Sequence, residues 1–258
     1  WLQTEWPDLE VYLTSVTEQW SVATISGPNA AKILERAGID IDLSPTKFPF
    51  MSMKDAHVGG LPARIFRISF TGELSYEINV AARHGLALWT HLMKAGEVHG
   101  ITPYGTEAMH VLRAEKGFII VGQETDGSVN PYDLGMDWIV SKTKPDFIGK
   151  RALARESMGY GNRKQLVGLI CNDPKTVIPE GAHAVIDPHQ PLPMDMLGQV
   201  TSSYFSPNCE RSIAMAMLKG GHGLKGQTVC FPMLNGTILR AKVVDPIFYD
   251  PKGARIDG

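Results

Sequence analysis

Three cysteines in 258 residues, Cys171, Cys209 and Cys230, are odd in number and far apart. They form no CxxC pair, so neither a disulfide framework nor a cysteine zinc site is indicated. Buried, inert thiols in a reducing, cytoplasmic compartment are the expectation. Long apolar runs are also missing. Nothing approaches the roughly 20 residues that a membrane-spanning helix needs, and no signal peptide opens the chain. Neither sign of charge is in excess: 25 Lys and Arg face 27 Asp and Glu, for a net charge of −2, with no basic run. That excludes the electrostatic footprint of a nucleic-acid binder.

Familiar catalytic signatures are equally scarce. There is no HExxH, no GxSxG elbow, and no cysteine paired nearby with a histidine. His84 and His91 lie seven apart on one predicted helix without an Asp or Glu at ligand spacing, and His183 and His189 flank a turn. No metal site is expected from them. Gly221-His222-Gly223-Leu224-Lys225-Gly226 matches GxGxxG, but Gln227–Phe231 after it reads as a strand. A dinucleotide site needs a helix there, so that the helix amino end faces the pyrophosphate.

What is present is a 43% hydrophobic chain, enough for a sizeable core and one or two domains. Its most informative stretch runs from Arg64 to Val80 and reads as a β-hairpin turning at Thr71-Gly72. Phe66, Ile68 and Phe70 alternate with polar neighbours before the turn, and Leu74, Tyr76, Ile78 and Val80 after it. The apolar set is expected on one face, leaving Glu73, Ser75, Glu77 and Asn79 on the other. Such a row is either a solvated sheet face or the floor of a site for a polar ligand.

Around the hairpin, Val11–Val16 and Trp20–Ser26 read as strands, and Gly27-Pro28-Asn29 opens a helix capped by Gly38. Arg83–Ala95 reads as an amphipathic helix with Leu86, Trp89, Leu92 and Met93 on one face. Thr102-Pro103-Tyr104-Gly105 begins a third helix that Gly117 stops. Phe118–Gly122 is strand-like, and a short helix follows Phe147-Ile148-Gly149-Lys150. Ser157–Asn162 reads as a linker. Beyond it, Lys164–Cys171, His183–Asp187, Gly198–Tyr204, Ser212–Leu218, Thr228–Met233 and Thr237–Val244 read as short strands of a small all-β barrel. The predicted fold is α+β: α/β layers over residues 1–157, then a carboxyl-terminal β-barrel over 163–258.

Several blocks in one order resemble the folate-binding aminomethyltransferase family, the T-protein of the glycine cleavage system. The family's "YTGE…FE" is similar to Phe70-Thr71-Gly72-Glu73-Leu74-Ser75-Tyr76-Glu77, and its "LRLEAG" to Leu112-Arg113-Ala114-Glu115-Lys116-Gly117. Its "YG" with an acidic loop is similar to Val121-Gly122-Gln123-Glu124-Thr125-Asp126. "FIGK" is present as Phe147–Lys150, and "VTSG…SP" is similar to Val200–Pro207. Within that family, Tyr104–Gly117 and Trp1–Pro7 resemble the carboxyl-terminal region of heterotetrameric sarcosine oxidase α subunits. The chain begins inside apparently structured sequence and is expected to be a piece of a longer protein.

The resemblance implies the T-protein-like folate-binding fold and tetrahydrofolate as ligand. It implies flavin (FAD or FMN) and NAD elsewhere in the intact enzyme, and other sarcosine oxidase subunits as partners. It implies one-carbon transfer from the sarcosine-derived imine to tetrahydrofolate, giving 5,10-methylenetetrahydrofolate. A free-standing aminomethyltransferase and a non-catalytic folate-binding or assembly module are the alternatives. By position, Glu77 matches the glutamate that holds the pterin, whose two parallel N–H donors suit a carboxylate. Phe70 stands where the family commonly has tyrosine, and Phe118 at a second aromatic position. Met109 replaces a folate-contacting arginine, so it can supply packing but no charge. Arg113 matches the family's second, structural arginine. The family's essential aspartate is expected upstream of Trp1, so this region alone is expected to bind folate without turning over.

Overall fold

A computed structural model describes residues 2–159 and 161–257. Trp1, and Tyr160 in the expected linker, lie outside the described residues. The elements in order are α1 (Leu2–Glu5), β1 (Trp20–Ser26), α2 (Ala30–Arg36), β2 (Ser52–Val58), β3 (Leu61–Arg67), β4 (Ser75–Ala81) and α3 (Gly85–Gly96). Then come α4 (Thr106–Glu115), α5 (Lys150–Leu153), β5 (Lys164–Cys171), β6 (His183–Ala184), β7 (Gly198–Ser206), β8 (Arg211–Lys219), β9 (Thr228–Pro232), β10 (Ile238–Val244) and α6 (Ala254–Asp257). The chain forms two compact units: Trp1–Ser69 with Glu73–Pro103 and Arg255–Gly258, and Phe70–Gly72 with Tyr104–Ala254. No described helix is long and apolar enough to cross a membrane.

The first unit is an antiparallel sheet of order β1-β4-β3-β2. Its buried face (Ile25, Ala56, Ala63, Ile65, Tyr76, Ile78, Val80) packs with Ile33 and Leu34 of α2 and Leu88, Leu92 and Ala95 of α3. Gly59 and Gly60, both at positive φ, form the two-residue turn that joins β2 to β3. Three expectations change here. Residues 11–16 are exposed and form no strand. On α3, Leu86 and Trp89 face outward, because Leu88, Leu92 and Ala95 take the core side. Phe66 lies on the face opposite to the one expected.

The last of these has a definite cause. Phe66 pairs with Glu77, and directly paired residues share a face. The inward residues of β3 are Ala63, Ile65 and Arg67. Arg67 is 1% exposed, and it donates to the carbonyls of Phe48 (2.7 Å) and Asp257 (2.9 Å). A buried arginine held by carbonyls looks outward-facing in a hydrophobicity pattern. That single residue inverts the apparent phase, and a one-residue slip exchanges both faces.

The second unit carries a six-stranded sheet of order β6-β7-β8-β5-β10-β9. A reciprocal pair of 2.9 Å backbone bonds between Val185 and Cys230 closes it into a barrel. Its interior is filled by Val167, Leu169, Val200, Ala214, Ala216, Leu218, Phe231 and Val243. β8 is buried on both faces. Its other side (Ile213, Met215, Met217) packs with Ala114 of α4 and with Leu166. Burial on two sides is why Ser212–Leu218 reads as a near-continuous apolar run. Phe118–Gly122 is irregular rather than a strand, touching the ladder pattern only through the isolated Val121–Thr125 bridge. Gly221–Leu224 form a single 3-10 turn, and the following element is the strand β9.

Candidate functional site

In the first unit, β4 sits between β1 and β3 and pairs Glu77 with Thr24 on one side and Phe66 on the other. Of the four polar residues expected on this face, three are accounted for within the fold. Glu73 accepts from Arg255 Nε at 2.5 Å. Ser75 is buried and bonds the Ser26 hydroxyl (2.7 Å) and the Ile25 carbonyl (3.2 Å). Asn79 donates to the Arg64 and Glu77 carbonyls. Glu77 is different. It is half-buried, and its carboxylate makes no hydrogen bond or ion pair among the described residues. Burial without a partner pushes its pKa above the usual carboxylate range. A desolvated carboxylate with open acceptor sites gains most from a ligand that brings N–H donors.

In the second unit, the ring of Phe70 stacks on Phe118, with centroids 6.4 Å apart and planes 20° from parallel. The end of α4 places Phe118. Gly117 takes a left-handed φ of 68°, its N–H bonds Ala114, and the Phe118 N–H reaches back 2.9 Å to the Arg113 carbonyl. This is a Schellman ending, for which glycine is the natural residue. A Cβ at Gly117 would lie 2.6 Å from the Pro246 carbonyl oxygen. Thr71, next to Phe70, is 6% exposed, and its hydroxyl finds no partner among the described residues.

Met109 is half-buried on α4, one turn before Arg113. Arg113 does not replace the cation that Met109 lacks. It is fully buried, donating from Nη1 to Glu124 Oε2 (3.1 Å) and the Phe118 carbonyl (3.1 Å), and from Nη2 to the Ser202 hydroxyl. Ser202 in turn donates to Glu124 Oε1, and the Ile120 N–H bonds Glu124 Oε2 at 2.7 Å. A β-bulge between Val200 and Ser202 aims Ser202 at this network, and the Thr201 carbonyl there accepts from Gln123 Nε2 at 2.7 Å. The VTS wording is therefore a bulge that receives the arginine. Glu124, in a polar loop, carries no pattern that separates it from a solvated glutamate. Lys116 likewise reads as a surface residue, yet it is 6% exposed and bonds Asp250. Among the described residues no group of His, Cys, Asp and Glu is placed to hold a metal ion.

Comparison with known proteins agrees with this architecture. Residues 1–144 match the GCVT N-terminal domain, and residues 164–250 match the glycine cleavage T-protein C-terminal barrel domain. The sarcosine oxidase subunit alpha of Corynebacterium sp. (strain P-1) is 46% identical over 263 residues, covering 100% of this chain and 27% of that protein. An aminomethyltransferase of Caldanaerobacter subterraneus subsp. tengcongensis is 31% identical, over 93% of this chain and 61% of that one. The crystal structure of the glycine cleavage system aminomethyltransferase T from Bartonella henselae superposes with a TM-score of 0.76 at 25% identity, covering 90% of this chain and 60% of that one. The chain thus spans about a quarter of the length of the sarcosine oxidase subunits it matches (27%). With both of its regions matched in order, the chain belongs to the folate-binding aminomethyltransferase family of the glycine cleavage T-protein.

Proposed function

We propose that this chain is the tetrahydrofolate-binding region of a sarcosine oxidase α subunit, with residues 1–157 as its folate-binding part and 163–258 as its barrel. The unengaged, half-buried carboxylate of Glu77 carries this reading. The 2-amino-4-oxo edge of a pterin presents two N–H donors that a carboxylate accepts in a fork. Phe70, Phe118 and Met109 supply ring and thioether contact for the flat parts of the ligand, without charge. The higher identity to sarcosine oxidase subunits (46%) than to the aminomethyltransferase (31%) supports the oxidase over the free-standing transferase.

On this reading, flavin held elsewhere in the intact cytoplasmic enzyme, with the other subunits and NAD, supplies oxidation of the sarcosine N-methyl group. The resulting imine hands its one-carbon unit to tetrahydrofolate held by this region, giving 5,10-methylenetetrahydrofolate and glycine. Sarcosine oxidation is assigned to a site outside residues 1–258, a reading supported by Gly221–Gly226 leading into β9 and not into a helix that could face a pyrophosphate. Glu77→Ala removes charge-assisted bonds, a loss of about 1.5–3 kcal/mol in tetrahydrofolate affinity. Calorimetry of the wild-type and variant proteins tests this. An unchanged dissociation constant in Glu77→Ala removes Glu77 from the site and the reading with it.

A further inference from the structure

Lys116 stands where the family block has alanine, and the mechanism above gives it no task. It is 6% exposed, a rare state for lysine. Its ammonium donates to the Asp250 carbonyl (2.5 Å) and to Asp250 Oδ2 (3.1 Å). Its stem crosses Gly72. A Cβ built on Gly72 would lie 2.1 Å from Lys116 Cγ and 2.5 Å from Cδ. Gly72, at φ +81°, is the second residue after Phe70, and Phe70 is the ring that stacks on Phe118. Phe118 is already held from its own side by the Arg113 bond to its carbonyl and by the Schellman ending of α4. The segment 70–72 has no regular secondary structure to fix it. Within its own unit the lysine stem packs directly on it.

We propose that Lys116 is a positioning residue. Its methylenes, packed over Gly72, keep Phe70 seated against Phe118 and so set the aromatic part of the folate site. This rests on the folate reading given above. Two parts of one side chain then do separable jobs: the stem positions the 70–72 segment, and the ion pair stabilises the fold. An alanine in the family's place leaves that space unfilled.

The test measures 5-formyltetrahydrofolate affinity by calorimetry and melting temperature in parallel, on the intact protein that carries this chain. Lys116→Ala is expected to weaken binding by about tenfold, the equivalent of one lost packing contact. Lys116→Met keeps the stem and loses the ion pair, so it should lower the melting temperature yet bind within about threefold of wild type. A purely structural lysine predicts the reverse, with affinity following stability across both variants. Gly72→Ala should also weaken binding. Combined with Lys116→Ala it should be no worse than the poorer single variant, because the two act on one contact. Wild-type affinity in Lys116→Ala, or strict additivity with Gly72→Ala, overturns the proposal. If Lys116→Ala does not fold, Lys116→Met and Gly72→Ala decide it alone. A Glu77→Ala control separates the two readings. Weakened binding there with unchanged binding in Lys116→Ala sinks only the positioning role, and unchanged binding in both sinks the site itself.

Discussion

Replacing Arg113 with methionine should be among the most destabilising single changes in the second unit. The guanidinium and the Glu124 carboxylate are both 0% exposed, and they meet at 3.1 Å. Methionine fills much of the volume but leaves Glu124 as a buried anion. Among the described residues that anion keeps the Ser202 hydroxyl and the Ile120 N–H as donors. Breaking one partner of a buried pair costs about 3–5 kcal/mol, most of it from the stranded charge. Total stability for a folded domain is about 5–15 kcal/mol, so the change removes a large fraction of it. The Phe118 carbonyl also loses its donor, so the loop after α4 loosens with the pair. Urea unfolding followed by circular dichroism measures the loss. Arg113→Met combined with Glu124→Leu should recover part of it, because no buried charge is then left alone. A coupling energy near the upper end of the usual range, about 0.5–3 kcal/mol, is expected. A loss under about 1 kcal/mol in Arg113→Met, or simple additivity with Glu124→Leu, would refute the structural role assigned to this arginine.

Two further outcomes follow from particular groups. Burial raises the Glu77 pKa, so the folded chain binds this proton more tightly than the unfolded chain. The group therefore lowers stability as pH rises from its unfolded value through its raised folded value. If Glu77 holds the ligand as proposed, folate affinity should run the other way, falling as pH drops through the raised folded pKa, because the protonated carboxyl gives up an acceptor. A pH series of binding constants identical in wild type and Glu77→Ala would contradict this. Gly117→Ala combines a left-handed φ of 68° with a Cβ 2.6 Å from the Pro246 carbonyl. It should cost about 1–3 kcal/mol in unfolding free energy, and an unchanged denaturation midpoint would show that the segment yields freely.

The barrel was the most legible part of the chain. Lys164–Cys171 is a strand with the expected bounds, and the other five strands fall within a few residues of expectation. Those strands are amphipathic or doubly buried along their own length, so a local pattern carries the information. The face of Glu77 was legible for the same reason, since Leu74, Tyr76, Ile78 and Val80 are all buried. Neighbouring β3 was misread because Arg67 points inward onto the carbonyls of Phe48 and Asp257, the second of which is 190 residues away. Residues 11–16 read as a strand but pair with no strand among the described residues. The shared limit is sequence separation. A backbone pattern reports what each residue does to its own element, while the satisfaction of a buried charge depends on atoms brought in from elsewhere.

The sequence by itself therefore determined the α+β class, the barrel, and Glu77 as a polar residue on a half-buried sheet face. Only the tertiary structure decided which of Glu73, Ser75, Glu77 and Asn79 is unengaged, because the partners of the others lie up to 182 residues away. Only it showed Arg113 consumed by Glu124 and Ser202, and Lys116 turned from an apparent surface cation into a buried strut over Gly72. Hydrophobic periodicity is a local consequence of burial and survives in one dimension. The pairing of buried polar groups is settled by where distant segments meet, and no spacing along the chain encodes it.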